Sequence, residues 1–512
     1  MGVRGLGLSL VAWWCAAAAL GRAGADVVGQ VDPTPEGPGL RTLVVVEGAV
    51  GAVGAASYSV FLDDLRRQGH VLTLVGTTST VAVKGPLESY GEAVYDTVVL
   101  FAPEVALPLE ENQGRSGLRV AGLLRFVDEG GNLVVAAGAA DGTVVQSTRD
   151  LVKELANGAL VSEGGALVVD HGGPALAAGG RDHADVVARA SGTAAARAVL
   201  GDAVPEAAPV VVRGAALLGV ASPMDEAMGT DQEVHASEVQ LMSLLDVSAS
   251  AYSFRPYAAA GSEAEVATGP RDVAVALAVQ TRGNARVAVL AGADMCSDRL
   301  YAATLADGGA APAPAGNRAF CGRLAAWVSK QANYVRPLAV RHHREGEAVA
   351  PAMYRIKEPV VYEMDLAEWD ASAGRWAPYA ADDVQVEFRM LHPYWRLTLD
   401  DQGNGTFRTA FDTPDKYGVY KFSVRYNRPG YSRVHVEHEA PTRPFRHNEY
   451  ERFIVTAFPY YASIASMGVG FLVFGLAYLY TPDGGEAPAA ATAAVAAASP
   501  TPKTGKGKSK TS

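Results

Sequence analysis

Three places in the chain combine residue types that can do chemistry. Asp170-His171 follows the apolar run Ala166–Val169, and a carboxylate beside an imidazole is the start of a general-base or metal pair. No third partner stands at a ligand or triad spacing, and an Asp after a strand more commonly closes a turn, so Asp170-His171 reads as a capped turn. His342-His343-Arg344-Glu345 offers two imidazoles and a carboxylate. Consecutive side chains on a strand point to opposite faces, so this pair cannot converge on one ion and reads as a solvated loop. Asp294 and Asp298 flank Cys296. Cys296 and Cys321 are the thiols left once Cys15 departs with an expected leader. Without a CxxC spacing they make no redox or zinc motif, and one disulfide or two buried thiols both fit. No catalytic, cofactor-binding or metal-binding set is assigned.

The elements that would position such groups can be read from periodicity. RTLVVVE (41–47), VLTLVG (71–76), TVVLFAP (97–103) and NLVVAAG (132–138) are short apolar runs of the kind buried on both faces of a sheet. SVFLDDLRRQGH and GLRVAGLLRFVDEGG between them carry helical spacing and end at glycine. Alternation of strand and helix predicts an α/β region with a mostly parallel sheet. Such sheets place ligands beyond their C-terminal strand ends, here Glu47-Gly48, Ala102-Pro103-Glu104 and Gly138 to Asp141. Those ends hold no GxGxxG, no P-loop and no nucleophile elbow, so they offer a crevice without a nucleotide or hydrolase motif. From about 159 to 270, further strands alternate with Ala/Gly-rich loops. Residues 273–292 read as a hairpin turning at Gly283-Asn284, and 317–331 as a helix with Phe320, Leu324 and Trp327 on one face. After Arg336-Pro337, short alternating runs predict a β-sandwich-like domain. It contains the sequon Asn404-Gly405-Thr406, a glycosylation candidate.

At 512 residues, net charge −11 and 19% charged residues, the chain has room for two or three domains, and nucleic acid is excluded as its main partner. Residues 1–25 read as a signal peptide, with Arg4, an apolar Leu6–Leu20 and the small-x-small end Ala23-Gly24-Ala25. Residues 457–480 hold no charge, are long enough to cross a bilayer, and have tyrosines at both ends. Ala462, Ser466 and Gly470 share one face of that helix and form a packing candidate. The expected plan is a lumenal α/β region (26–335), a lumenal sandwich domain and neck (336–456), a transmembrane helix (457–480) and a disordered cytosolic tail (481–512). The aromatic and basic run 427–453 reads as a neck at the bilayer surface. Lys508 and Lys510, fifth and third from the carboxyl end, resemble a dilysine retrieval signal of endoplasmic-reticulum type I proteins.

The stretches TLVVVEG, FVDEGGNLVVAAG, RGNARVAVLAGADMCSD and above all YGVYKFSVRYNRPGYSRVHVEHEAPTRPFRHNEYERFIVTAFPYYAS resemble the oligosaccharyltransferase 48 kDa subunit family. The resemblance runs through nearly all of the mature chain and departs from the family in the Ala-rich 173–208 and the Ala/Pro tail. It implies a type I protein of the endoplasmic reticulum membrane. It also implies membership of a membrane complex that moves a preassembled oligosaccharide from a dolichyl-diphosphate lipid to Asn of N-x-S/T, with the chemistry belonging to a multi-span, metal-binding partner. This chain would be a non-catalytic subunit without a cofactor. It would contact other subunits and the membrane, with the lipid-linked oligosaccharide as a further contact. The alternatives are a stand-alone lumenal carbohydrate-binding membrane receptor, which would purify without partners, and a lumenal enzyme using the crevice near Asp141 and Asp170.

Overall fold

The computed structural model describes residues 37–47, 56–77, 87–89, 92–104, 118–139, 144–156, 160–172, 175–176, 182–201, 204, 209–219, 239–254, 273–306, 313–450, 452 and 454–481. The expected signal peptide, Asp141, Lys508 and Lys510 lie outside the described residues.

The N-terminal region is built on a seven-stranded sheet. Strands β1 (Arg41–Glu47), β2 (Val71–Thr77), β3 (Thr97–Phe101) and β4 (Asn132–Gly138) take the four apolar runs. They are joined by β6 (Val239–Ser243), β7 (Ala276–Thr281) and β8 (Arg286–Gly292), while β5 (Leu160–Val169) belongs to a separate four-stranded sheet. The order is β6-β7-β8-β4-β3-β1-β2, parallel from β8 to β2 and antiparallel through β7 and β6. Strand side chains alternate between the faces. Val44 and Val46 enter one core with α1 (Ser59–Arg67) and α4 (Asn317–Val328). Leu43 and Val45 enter the other with α2 (Val120–Asp128) and α3 (Gln146–Leu155).

Two helices escape the sequence reading. Helix α3 is polar along most of its length and buries only a narrow seam that includes Leu151, Val152 and Leu155. A helix over Ala194–Leu200 lies in an alanine-rich stretch, started by Thr193, whose hydroxyl accepts from Ala196 N–H at 3.2 Å.

The sandwich-like region begins on β9 (Val335–Arg344), which runs through Pro337 with a register shift there. Then follow β10 (Tyr354–Arg355), β11 (Pro359–Asp370), β12 (Gln385–Arg389), β13 (Pro393–Thr398), β14 (Thr406–Asp412), β15 (Gly418–Tyr426) and β16 (Val434–Arg443). One sheet contains β9-β11-β14, and the other runs β10-β16-β15-β12-β13. Tyr362, Phe388, Phe407, Tyr420 and Phe422 fill the space between them. The expectation of a neck over 427–453 is corrected for its first part. Residues 427–443 form the β15–β16 turn and β16 itself, because His435, Glu437 and Glu439 alternate with buried or half-buried Val434, Val436 and Ala440 along a paired strand.

One buried cation joins the two regions. Arg286 opens β8, is fully buried, and lies with its guanidinium 5.0 Å from the centre of the Trp327 ring. Nη1 donates to the carbonyls of Trp327 (2.7 Å) and Ala332 (2.6 Å), and Nη2 to the Asn333 carbonyl (2.6 Å) and Ser432 Oγ (3.0 Å). Burial pulls its pKa down to about 9, so it stays protonated at neutral pH. Around it the β15–β16 turn is stitched to the sheet. Trp327 Nε1–H donates to the Gly430 carbonyl at 2.8 Å and Gln280 Nε2–H to the Tyr431 carbonyl at 2.7 Å. Asn284 exchanges two hydrogen bonds with the backbone of Arg433, at 2.9 and 2.7 Å. Gly430, at φ +82°, brings the turn so close that an added Cβ would stand 2.9 Å from Ala198 Cβ.

The C-terminal unit, from Phe445 on, contains one long helix, α5 (Phe458–Tyr480). Its 23 residues rise about 35 Å, enough for a hydrocarbon core of about 30 Å.

Replacing Arg286 by Met removes a charged donor shared by three carbonyls and a buried hydroxyl, of which the Trp327 carbonyl keeps the Lys330 N–H, so unfolding free energy should fall by about 3–5 kcal/mol. Arg286→Lys keeps the charge but not the fork and should recover little of the loss. Urea unfolding in detergent, followed by tryptophan emission, measures both; a change below about 1 kcal/mol in the Met variant would refute the anchoring role assigned to this cation.

Candidate functional site

The strand order reverses between β1 and β3, so the topology points to the crevice at their C-terminal ends. Glu47 closes β1, and its carboxyl is pushed up by burial and then by the nearby Glu104 charge. Tyr58 packs on Phe101 with ring centres 5.0 Å apart; burial, then Asp294 and Glu47, raise its phenol. Three carboxylates thus gather at this corner around a buried tyrosine. The adjoining segments 48–55, 105–117 and 140–143, with Asp141, lie outside the described residues.

Asp298 has a structural task at the same corner. Its carboxylate accepts from the backbone N–H of Ser59 (3.0 Å) and Val60 (2.9 Å) and from Ser59 Oγ (2.6 Å), which caps the start of α1 from far along the chain. Two residues earlier, Cys296 is joined to Cys321 of α4 in a disulfide. Asp294 faces Arg299 at 3.5 Å, and Arg299 reaches Asp185 at 3.7 Å.

Asp170 is buried at the end of β5. It accepts from Gly172 N–H (2.8 Å), from Ser250 Oγ (2.8 Å) and from Ser248 Oγ (2.5 Å), the arrangement of a capped turn. His171 is exposed, shares a hydrogen bond with the Tyr252 hydroxyl at 2.9 Å, and has its ring centre 4.2 Å from that of His183. Among the described residues no group of three or more His, Cys, Asp or Glu is placed to hold a metal ion.

The expectation of a solvated loop at His342-His343 is corrected. Both histidines lie on β9. His342 is 4% exposed, shares a 2.7 Å hydrogen bond with the Tyr354 hydroxyl and stacks on Phe422 at 4.9 Å. Burial, followed by His438 and His343, pushes its pKa down to about 4. The run RHHRE is too polar to read as a strand; the aromatic neighbours that shelter His342 come from the other sheet and leave no local trace.

Asn404 sits in the turn before β14, where its side-chain oxygen accepts from Thr406 N–H at 3.0 Å and the residue stays exposed. On α5, Ala462, Ser466 and Gly470 fall on one face by the 100° turn per residue, and Tyr460, Met467, Phe471 and Tyr478 form a neighbouring stripe about 100–140° round from Ser466. Ser466 Oγ donates to the Ser463 carbonyl at 2.9 Å, so its hydroxyl is satisfied within the helix. A Cβ added at Gly470 would meet nothing within 4 Å.

Of the acids and imidazoles singled out from sequence, Asp170 holds a turn, Asp298 starts a helix and His342 fills a core, whereas Asp294 is paired with Arg299 and His171 is exposed beside Tyr252. Among the described residues one uncharged helix is long enough to span a bilayer, and these features define the class: an α/β region and a sandwich-like region followed by a candidate membrane span.

Comparison with known proteins narrows the class. Residues 36–331 match the model of the OST48 N-terminal domain and residues 342–482 that of the OST48 middle domain. The dolichyl-diphosphooligosaccharide–protein glycosyltransferase 48 kDa subunit of Arabidopsis thaliana is 32% identical over 431 residues, which are 83% of this chain and 90% of that protein. The subunits of that name from Drosophila melanogaster (33% identical, 83% and 89% covered) and Caenorhabditis elegans (32%, 87% and 92%) are similar to it over comparable lengths. The chain belongs to the OST48 family.

The His342 site predicts a pH effect of definite sign. The imidazole titrates near 6.5 when unfolded and near 4 when folded. Between those values the unfolded chain binds the extra proton, so the contribution is constant above pH 6.5 and shrinks as pH falls toward 4. At pH 5 the loss from this residue should be about 2 kcal/mol. His342→Phe should remove that part of the difference in unfolding free energy between pH 7 and pH 5; an unchanged difference would mean the ring is not held neutral.

Proposed function

We propose that this chain is a non-catalytic, scaffolding subunit of an oligosaccharyltransferase complex. Such a complex transfers a preassembled oligosaccharide from a dolichyl-diphosphate lipid to Asn of N-x-S/T in nascent proteins. The observation that carries the reading is the match of both family models, together over most of the chain, with relatives that are subunits by name. In this reading α5 crosses the endoplasmic reticulum membrane once, residues 26–456 are lumenal and 481–512 cytosolic. Lys508 and Lys510 return the protein to that compartment. Bond-making belongs to a multi-span partner subunit, and the lumenal regions support that partner and contact the lipid-linked oligosaccharide.

The small face of α5 is the surface we assign to a neighbouring helix, because Ala462, Ser466 and Gly470 let another backbone approach closely. The lumenal setting also gives the disulfide and the sequon their chemistry: Cys296–Cys321 persists in an oxidising compartment, and exposed Asn404 is itself a substrate of the reaction.

A tagged chain purified in mild detergent should bring multi-span partners with it, and with them transfer of lipid-linked oligosaccharide to an N-x-T peptide. Both should be lost when the chain is stripped of partners. Gly470→Leu should reduce co-purification several-fold while lumenal folding persists; full recovery of partners would remove the helix face from the model. A chain that purifies alone and binds glycans would overturn the subunit reading. Non-reducing peptide mapping of the same preparation should return a Cys296–Cys321 cross-link and a glycan on Asn404. Freely alkylated thiols would refute the first, and an unmodified Asn404 peptide the second.

A further inference from the structure

The sandwich-like region has two unlike ends. At one, the β15–β16 turn packs on Trp327 and Arg286. At the other, β16 finishes at Arg443 and the chain continues through 444–457 to α5. Strand register fixes which loops share the exit end. Gly418 pairs with Thr442, Lys421 with Arg389, Pro359 with Asp412, Arg344 with Val360, and Tyr354 with Thr442. The loops 345–353, 390–392 and 413–417 therefore all gather where the chain leaves.

Exposed apolar side chains follow the same division. Leu391 is 81% exposed, Tyr417 69%, Val349 64%, Val419 55% and Met353 51%. Tyr394 and Trp395 adjoin them at the start of β13. Across 335–444, every large hydrophobic side chain that is exposed lies in this half. The loops of the opposite end, 371–374 and 402–405, read ASAG and QGNG and include Asn404. Charge at the exit end is balanced and partly self-paired, as in Lys357–Asp415 at 3.0 Å and Arg344–Glu358 at 3.2 Å.

We propose that this exit end is a lipid-facing surface, and that its three loops rest at the headgroup level of the bilayer that α5 enters. The proposal rests on α5 being a membrane span. Three observations favour lipid as the occupant. Residues 444–457 reach at most about 50 Å when fully extended, so the patch stays near the bilayer at an effective concentration of the order of millimolar. Tyrosine and tryptophan beside Leu, Met and Val are the composition that settles at a membrane interface. Balanced charge needs no anionic lipid. The contact is confined to side chains, because loop backbone cannot enter hydrocarbon without leaving its polar groups unpaired.

The test uses the full chain in nanodiscs of zwitterionic phosphatidylcholine, carrying a bimane on one introduced thiol at a time: Leu391→Cys, Tyr417→Cys, Ser372→Cys at the opposite end, and Leu472→Cys within α5. Phospholipid brominated near the headgroup should quench the labels at 391 and 417 at least twofold more than the label at 372. Deep bromines should quench the label at 472. Quenching at 472 with 391 no stronger than 372 would overturn the lipid surface and leave the span intact. In that case, protection of the 391 label from aqueous iodide only in the native complex would assign the patch to a protein partner. No quenching at 472 would refute the span and the proposal with it.

Discussion

The Arg286 guanidinium is the constraint on which the joining of the α/β and sandwich-like regions depends. A cation removed from water is costly unless its donors are used, and here four of them are spent on three carbonyls and a hydroxyl from separate parts of the chain. Trp327 and Ala332 lie at and beyond the end of α4, Asn333 lies in the link to the sandwich, and Ser432 lies in a turn of the sandwich itself. The planar fork of arginine can serve these acceptors at once, and its face can lie over the indole of Trp327. Rotating one region against the other would strand a buried charge. The two regions held as one rigid body are therefore the low-energy arrangement.

Other polar residues also hold the fold in place. Asp170, Asp298 and His342 each carry chemistry in principle, and each is engaged in a turn, a helix start or an aromatic core. Strands β15 and β16 set the distance between the turn that grips the α/β region and the point where the chain departs. At about 3.3 Å per residue, the nine residues of β15 make a strut of about 30 Å. Paired strands stiffened at one end by a buried cation hold that distance well.

Much of this was legible in sequence because it rests on local pattern. The apolar runs of β1, β3 and β4, the hairpin at Asn284 (φ 62°) and the helix bearing Trp327 announce themselves by period and turn chemistry. What escaped was set by contacts across the fold. His342 looks solvated among charged neighbours, and only the opposite sheet makes it a core residue. Arg286 reads as an ordinary polar start to a strand, since its acceptors lie between 41 and 146 positions further on. The unusual run around NRPGYSR reads from sequence as part of a neck at the bilayer surface. Its aromatic and basic character serves the junction between the two regions, where Tyr431 lies under the Arg428 guanidinium and Gly430 against Ala198.

The cap on α1 carries a consequence for the order of events during synthesis. Helix α1 is made early, yet the carboxylate that satisfies its first N–H groups belongs to Asp298, about 240 positions later. β8, which lies beside β4 in the sheet, arrives at nearly the same time. Until that stretch has emerged, the nascent chain holds a helix with an open start and a four-stranded parallel sheet with one long side unpaired, the kind of edge that invites mispairing. The first half of this protein cannot close its sheet or finish its first helix until the stretch from β8 to Asp298 has been made.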